Sequence, residues 1–191
     1  MSIPNNGLMR IISGKYKGRH LYSSKNQSIR PTTDRIKEYI FNILQDFPRE
    51  SRILDLFSGT GSLGIEALSR GATQVTFVDI AHSSVKVLKK NLVRVKVEEH
   101  YEIVQKNALT FLRQNKIPYD LIFADPPFKW NHYIELLPLA FLPENLTDYG
   151  IMVLESEKMH DIEWETNIYE VIRQKKYDRS LITFFGRKGV S

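Results

Sequence analysis

The sequence predicts an α/β protein built on a doubly wound, mostly parallel sheet. Three observations carry that prediction. The runs RILDLF (52–57) and DLIFAD (120–125) are apolar on both faces, as strands covered from both sides are. Such runs alternate with segments of helical period, and a βαβα order implies parallel strands joined by crossovers. A glycine-rich turn, GTGSLG (59–64), follows the first of these strands and opens a helix.

Each element can be justified in turn. Residues 1–8 read as a polar tail, with Met9 as a second candidate start. RIISGKYKGRHLYSS (10–24) has two β-prone pieces around Gly14 and Gly18 and reads as a small basic β-hairpin. In RPTTDRIKEYIFNILQDF (30–47), Ile36, Tyr39, Ile40, Ile43, Leu44 and Phe47 recur at helical spacing. Thr32 or Thr33 can cap that helix, and Asp34 suits its dipole. Strands are then predicted at 52–57, 74–79, 102–105 and 119–124, with helices at 61–69, 83–97, 108–115 and 133–140. GIMVLES (150–156), NIYEVIRQKKYD (167–178) and SLITFFGRK (180–188) add three strands, the last two an antiparallel pair.

Composition narrows the function classes. With 191 residues, 42% hydrophobic and 26% charged, the chain reads as a soluble globular protein with one main domain. It has no cysteine, which excludes disulfides, thiolate metal sites and cysteine nucleophiles. The five histidines are scattered without ligand spacing, so no metal is expected. No apolar run approaches the roughly 20 residues that span a bilayer, and no signal peptide is visible, so a cytoplasmic protein without a membrane partner is expected. The net charge of +5 is unevenly spread. Residues 10–37 hold eight Lys/Arg and one acid, whereas the remainder is slightly acidic. That asymmetry suits a polyanion partner.

GTGSLG matches the dinucleotide fingerprint, and Asp79 ends the next strand where a ribose-binding acid belongs. Asp55, one strand end away, argues for a different ligand. A carboxylate beside a helix N-terminus repels pyrophosphate but attracts the ammonium and sulfonium of S-adenosylmethionine (SAM). The chain is also short for a second nicotinamide half-domain plus a substrate site. The candidate cofactor residues are Asp55, Phe57, Gly59, Thr60, Gly61, Asp79 and Ile80, with Asn107 and Ala108 at the adenine edge. Asn107 equally suits the N-cap of the following helix.

DPPF (125–128) follows the fourth strand. Two prolines fix the backbone and remove two N–H donors, leaving carbonyl groups and the Asp125 carboxylate as acceptors. An exocyclic amine, with two N–H groups, matches that array. Asp125, Pro126, Pro127 and Phe128 are therefore the candidate catalytic residues. Asp125 and the Pro126 carbonyl would hold the amine, and Phe128 would stack on its base.

Together these stretches resemble the bacterial 16S ribosomal RNA guanine-N2 methyltransferases. RIISGKYKGRHL and RPTTDRIKEYIFNIL resemble that family's N-terminal blocks, and LDLFSGTGSLGIEALSRGA and FADPPF its cofactor and catalytic motifs. The resemblance implies a class I SAM-dependent methyltransferase fold: Rossmann-like, doubly wound, with a mostly parallel seven-stranded sheet. Residues 1–30 would be a basic hairpin extension and 31–191 the methyltransferase domain. It implies SAM as donor, S-adenosylhomocysteine as product, and 16S rRNA in the small subunit or its precursor as partner; a monomer suits a chain that docks on so large a particle. Many relatives carry Glu where this chain has Asp79. On this reading Arg10, Lys15, Lys17 and Arg19 contact RNA and Tyr16 stacks, while Arg30 and Arg35 reach RNA or cofactor, or only fix the helix start. A DNA adenine-N6 methyltransferase and a non-catalytic RNA-binding assembly factor are the alternatives. Preference for duplex DNA would mark the first, and indifference to loss of Asp125 the second.

Overall fold

The computed structural model describes residues 9–23, 34–157, 166–177 and 179–189. Its elements run α1 (Asp34–Leu44), β1 (Arg52–Leu56), α2 (Ser62–Ser69), β2 (Gln74–Asp79), α3 (His82–Val95), β3 (His100–Gln105) and α4 (Ala108–Gln114). They continue with β4 (Tyr119–Ala124), α5 (Tyr133–Ala140), β5 (Leu146–Glu157), β6 (Tyr169–Tyr177) and β7 (Ser180–Arg187). The strands form one sheet in the order β3-β2-β1-β4-β5-β7-β6. β1 to β5 are parallel, and β7 pairs antiparallel with both β5 and β6. The chain winds outward from β1 to β3, then returns to place β4 on the other side of β1. That reversal opens a crevice at the carboxyl ends of β1 and β4.

Both faces are covered, which explains strands that read as apolar throughout. Ile53 and Leu121 enter one core with Ile40 and Phe41 of α1, Ile65 of α2 and Leu88 of α3. Leu54 and Ile122 enter the other with Leu109 and Leu112 of α4 and Leu136 of α5. Each such side chain contributes roughly 1.5–3 kcal/mol on burial.

The element boundaries differ from expectation for local reasons. α2 starts at Ser62 because Gly61 takes a left-handed φ of 78°. A Cβ there would lie 2.3 Å from Leu88 Cδ1, so the turn packs tightly on α3. α3 stops at Val95 because Lys96 is left-handed. β5 begins at Leu146, before the expected 150, under a polar Thr-Asp-Tyr stretch that masks it in the sequence. Buried Asn145 holds that start by donating from Nδ2 to the Leu112 and Leu139 carbonyls.

The expected basic hairpin forms an arm with one antiparallel bridge, Arg10 to His20, in place of two strands. Met9, Ile11, Tyr16 and Leu21 are at most 4% exposed and share the core of α1–α3. Gly14 lets the arm press against α2, where a Cβ would lie 1.7 Å from the Ser69 carbonyl oxygen. The Thr32 and Thr33 caps lie outside the described residues.

Candidate active site

A cavity of about 330 Å³ opens at the carboxyl ends of β1, β2, β4 and β5, within the size range of small-molecule sites. Phe57 and Gly59 of the β1–α2 turn line one wall, Asp79 and Ile80 the rim beyond β2, and Asn107 and Ala108 the rim beyond β3. Asp125 to Phe128 line the opposite wall, with Glu155 to Glu157 at the end of β5.

The rim is held by its own backbone. The Gly59 N–H donates to Asp79 Oδ2 at 2.8 Å and the Ala81 N–H to Oδ1 at 2.8 Å. Each carboxylate oxygen retains a lone pair for a ligand hydroxyl. Asn107 Oδ1 accepts from the Thr110 N–H at 3.1 Å, so Asn107 does cap α4 while lining the cavity. Ile80 is 63% exposed, an apolar side chain on the rim beside Asp79. Phe57 carries a left-handed φ of 57°, uncommon for a large side chain and concentrated at functional turns.

Asp55, Thr60 and Gly61, also expected at the cofactor, stand behind the cavity lining rather than in it. Asp55 is 3% exposed, and its Oδ2 accepts from the Gly64 N–H at 3.0 Å, which ties β1 to the first turn of α2. Burial pushes its carboxyl up to about 8, with the Asp79 charge adding to the rise and the Gly64 hydrogen bond opposing it. Burial thus favours the neutral form of Asp55, which shapes the loop through Gly64. The unfolded chain loses this proton near 3.8, whereas the folded chain keeps it to about 8. The group's stabilising effect is therefore present at acid pH and lost as pH rises through 8. Asp55→Asn keeps an acceptor without the acid. Its melting temperature relative to wild type is expected to rise by at least about 5 °C between about pH 5 and pH 9, measured by thermal circular dichroism.

On the opposite wall Asp125 is half-buried, Pro126 buried and Phe128 43% exposed. The Trp130 N–H donates to the Pro127 carbonyl at 3.0 Å and locks the turn. The Trp130 ring packs edge-on against Phe57, at 5.2 Å, and Tyr133, at 5.0 Å, joining the two walls. Tyr133 is 4% exposed, and its hydroxyl is held neutral by burial and then by the charges of Glu157 and Asp125. Ser180 Oγ donates to Glu155 Oε1 at 2.6 Å. Sequence reasoning missed Trp130, Tyr133 and the β5 acids. KWNHY directly after DPPF was a signal for the first two. The acids enter through the β4–β5 register, Ala124 beside Leu154, which no linear pattern displays. Asp79, Asp125, Glu155 and Glu157 give the cavity negative walls, which oppose a pyrophosphate and suit cationic or N–H-donating ligands. Among the described residues, no group of three or more acids or histidines is placed to hold a metal ion.

The residues expected to contact RNA are mostly engaged within the fold. Arg10 Nε pairs with Asp34 at 3.0 Å, and Lys15 Nζ with Glu98 at 2.9 Å and Glu99 at 2.8 Å. The Arg19 guanidinium donates to the Val95 carbonyl and lies 4.9 Å over the Tyr16 ring. Tyr16 corrects the stacking expectation: its ring is 1% exposed, and its hydroxyl donates to Glu99 and accepts from the Glu98 N–H. Lys17 is exposed and has no ion pair among the described residues. Arg35 lies 5.7 Å over the Tyr177 ring. Arg30 lies outside the described residues.

This strand order, with an antiparallel β7 and a ligand-sized cavity at the switch point, defines a Rossmann-like class I methyltransferase fold. The family model described as Conserved hypothetical protein 95 matches residues 9–186. Ribosomal RNA small subunit methyltransferase D of Haemophilus influenzae is 40% identical over 155 residues, 80% of each chain. Its namesake in Escherichia coli K12 is 38% identical over 162 residues, 82% of this chain and 80% of that one. Among solved structures, yhhF of Escherichia coli superposes with a TM-score of 0.82 at 33% identity, covering 95% of this chain and 98% of that chain. HI0767 of Haemophilus influenzae gives 0.78 at 32% identity, covering 95% and 99%. The chain belongs to this family and is a methyltransferase. No helix among the described residues is long and apolar enough to cross a membrane.

Proposed function

We propose that this chain transfers a methyl group from SAM to the exocyclic N2 of a guanine in 16S rRNA. Its substrate on this reading is the small subunit or its precursor, on which it acts as a monomer in the cytoplasm. The carrying observation is the Asp125–Pro126 acceptor array on the wall of a cavity whose opposite rim holds Asp79 and Asn107. Two relatives bear names that specify small-subunit ribosomal RNA, which supports that substrate. Guanine N2 rests on the resemblance of the four sequence blocks.

The rim fits SAM in its donor set. Asp79 would accept from ribose hydroxyls, Asn107 and the Ala108 backbone would meet the adenine edge, and Ile80 would cover its face. Phe57 and Gly59 would wall the methionine end, on a loop shaped by Asp55, Thr60 and Gly61. When bound, SAM supplies a methyl group activated by its sulfonium, leaving S-adenosylhomocysteine. Asp125 and the Pro126 carbonyl accept from the two amine N–H groups and aim the nitrogen lone pair across the cavity. The negative walls stabilise positive charge developing on that nitrogen, and Asp125 or water takes the proton. Phe128, exposed at the mouth, stacks on the base, which must be unpaired or flipped to enter. Among the described arm residues, exposed Lys17 would be the best candidate to meet a phosphate.

The test is transfer of labelled methyl from SAM to small subunits lacking the modification, beside naked 16S RNA and duplex DNA. N2-methylguanosine, identified by mass spectrometry and formed mainly on subunits, is the expected product. N6-methyladenine, or label confined to DNA, would overturn the substrate while keeping the fold.

A further inference from the structure

We propose that the RNA backbone is received chiefly by the β6 edge and the adjoining face of α1, rather than by the N-terminal arm. This rests on the reading of the substrate as ribosomal RNA. β6 is one of the two outer strands of the sheet, and Arg173, Lys175 and Lys176 on it are all exposed. None of the three has an ion pair among the described residues, in contrast to Arg10 and Lys15 of the arm.

The local geometry gathers Arg173 and Lys175 with aromatic rings, while Lys176 alternates to the other face of the same edge strand. A register shift between Val171 and Arg173 sets Arg173, Lys175 and Tyr177 opposite Phe184, Ile182 and Ser180. Phe184 and Ile182 belong to the core that α1 covers, so this trio faces α1. There the Tyr39 and Tyr177 rings lie 5.4 Å apart. Lys175 Nζ sits 5.2 Å over Tyr39 and 5.7 Å over Tyr177, and Arg35 sits over Tyr177 from the helix side. Cations interleaved with aromatic faces suit a single-stranded backbone, with phosphates taken by the cations and a base by a ring.

The patch is also level with the active cavity. Glu157 pairs with Ser180, and Ser180 pairs with Tyr177, in one row across β5, β7 and β6. Glu157 and Ser180 line the cavity. Two strand spacings place Tyr177 about 10 Å from Glu157. An RNA strand whose flipped base enters beside Asp125 therefore meets these cations within one to two nucleotides. Exposed lysines on an edge strand also discourage strand addition. That role alone would leave RNA affinity unchanged on their replacement.

The experiment compares full-length wild type with an Arg173→Ala, Lys175→Ala, Lys176→Ala variant and a Lys15→Ala, Lys17→Ala variant. Binding to undermethylated small subunits and to protein-free 16S rRNA is measured across a salt series, with kcat, KM and SAM affinity. The β6 variant should bind both RNAs ten- to a hundredfold more weakly at about 0.1 M salt. Its log-affinity against log-salt slope should be shallower by about 2, for three lost phosphate contacts. KM should rise while kcat, SAM affinity and melting temperature hold. The arm variant should shift affinity by less than about threefold. An unchanged β6 variant, beside a wild type that methylates subunits, overturns the inference alone. A loss confined to intact subunits would assign the surface to a ribosomal protein and also overturn it. A wild type that neither binds nor methylates ribosomal RNA overturns the substrate reading and this inference with it.

Discussion

Asp125→Ala is expected to lower methyl transfer by about 10²–10³-fold while leaving SAM affinity within about twofold of wild type. The expectation follows from position. Asp125 directly follows β4 at the switch point and lines the cavity wall opposite Asp79 and Asn107, which would hold the cofactor. Alanine removes a carboxylate that orients the amine and stabilises its developing charge, and it leaves the rim intact. Asp125→Asn keeps one acceptor oxygen and should lose less, about tenfold. The order of the two variants matters more than either value. If asparagine were as inactive as alanine, the charge of Asp125 would dominate; if alanine were active, the DPPF turn would serve only structure. Single-turnover rates with undermethylated subunits, together with SAM binding by calorimetry, separate these outcomes. Asp125 is half-buried at the cavity wall, so neither change should unfold the protein.

How far the sequence disclosed this site depends on the length scale of each feature. The glycine turn, Asp79, Asn107 and DPPF each sit at or just beyond the carboxyl end of a strand and were legible because strand ends and motifs are local. The three-dimensional role of Asp55 was not, because its identity suggested charge whereas its burial at β1 favours the neutral form. Glu155 and Glu157 were hidden because only the pairing of β4 with β5 brings them beside Asp125. The positive charge of residues 10–37 was countable, but its partners lie far along the chain. Lys15 meets Glu98 and Glu99, and Tyr16 meets the same segment. β6 read as a strand, yet its place at the sheet edge, level with the cavity, depends on the insertion of β7.

Glu66→Ala is expected to be the most destabilising single change considered, at about 3–5 kcal/mol, because it breaks a buried charge network. Glu66 is fully buried in α2, accepts three hydrogen bonds and forms an ion pair with a fourth group. The Ile12 N–H reaches Oε2 at 2.7 Å and the Ser13 N–H reaches Oε1 at 3.0 Å. Arg70 Nε lies 2.8 Å from Oε1, and the Lys37 ammonium, also fully buried, 3.9 Å from Oε2. Burial lowers the Lys37 pKa, and the Glu66 charge is the main counterweight. Alanine leaves that ammonium with the Arg10 carbonyl and, 3.9 Å away, partly exposed Asp34. It also strips two arm N–H groups of their acceptor. A fall in melting temperature of about 6–20 °C follows for a chain of this size. A Lys37→Met, Glu66→Gln double variant removes both charges and keeps an acceptor, and it should recover at least half of that loss. Equal instability of the double variant would show that packing, not the charge pair, holds the arm. The consequence reaches the cofactor loop. Buried Asn91 exchanges hydrogen bonds with the Tyr22 backbone and donates from Nδ2 to the Thr60 carbonyl at 2.9 Å. An arm loosened at Glu66 withdraws support from the glycine turn, so SAM affinity of Glu66→Ala should fall even well below its melting temperature and return in the double variant.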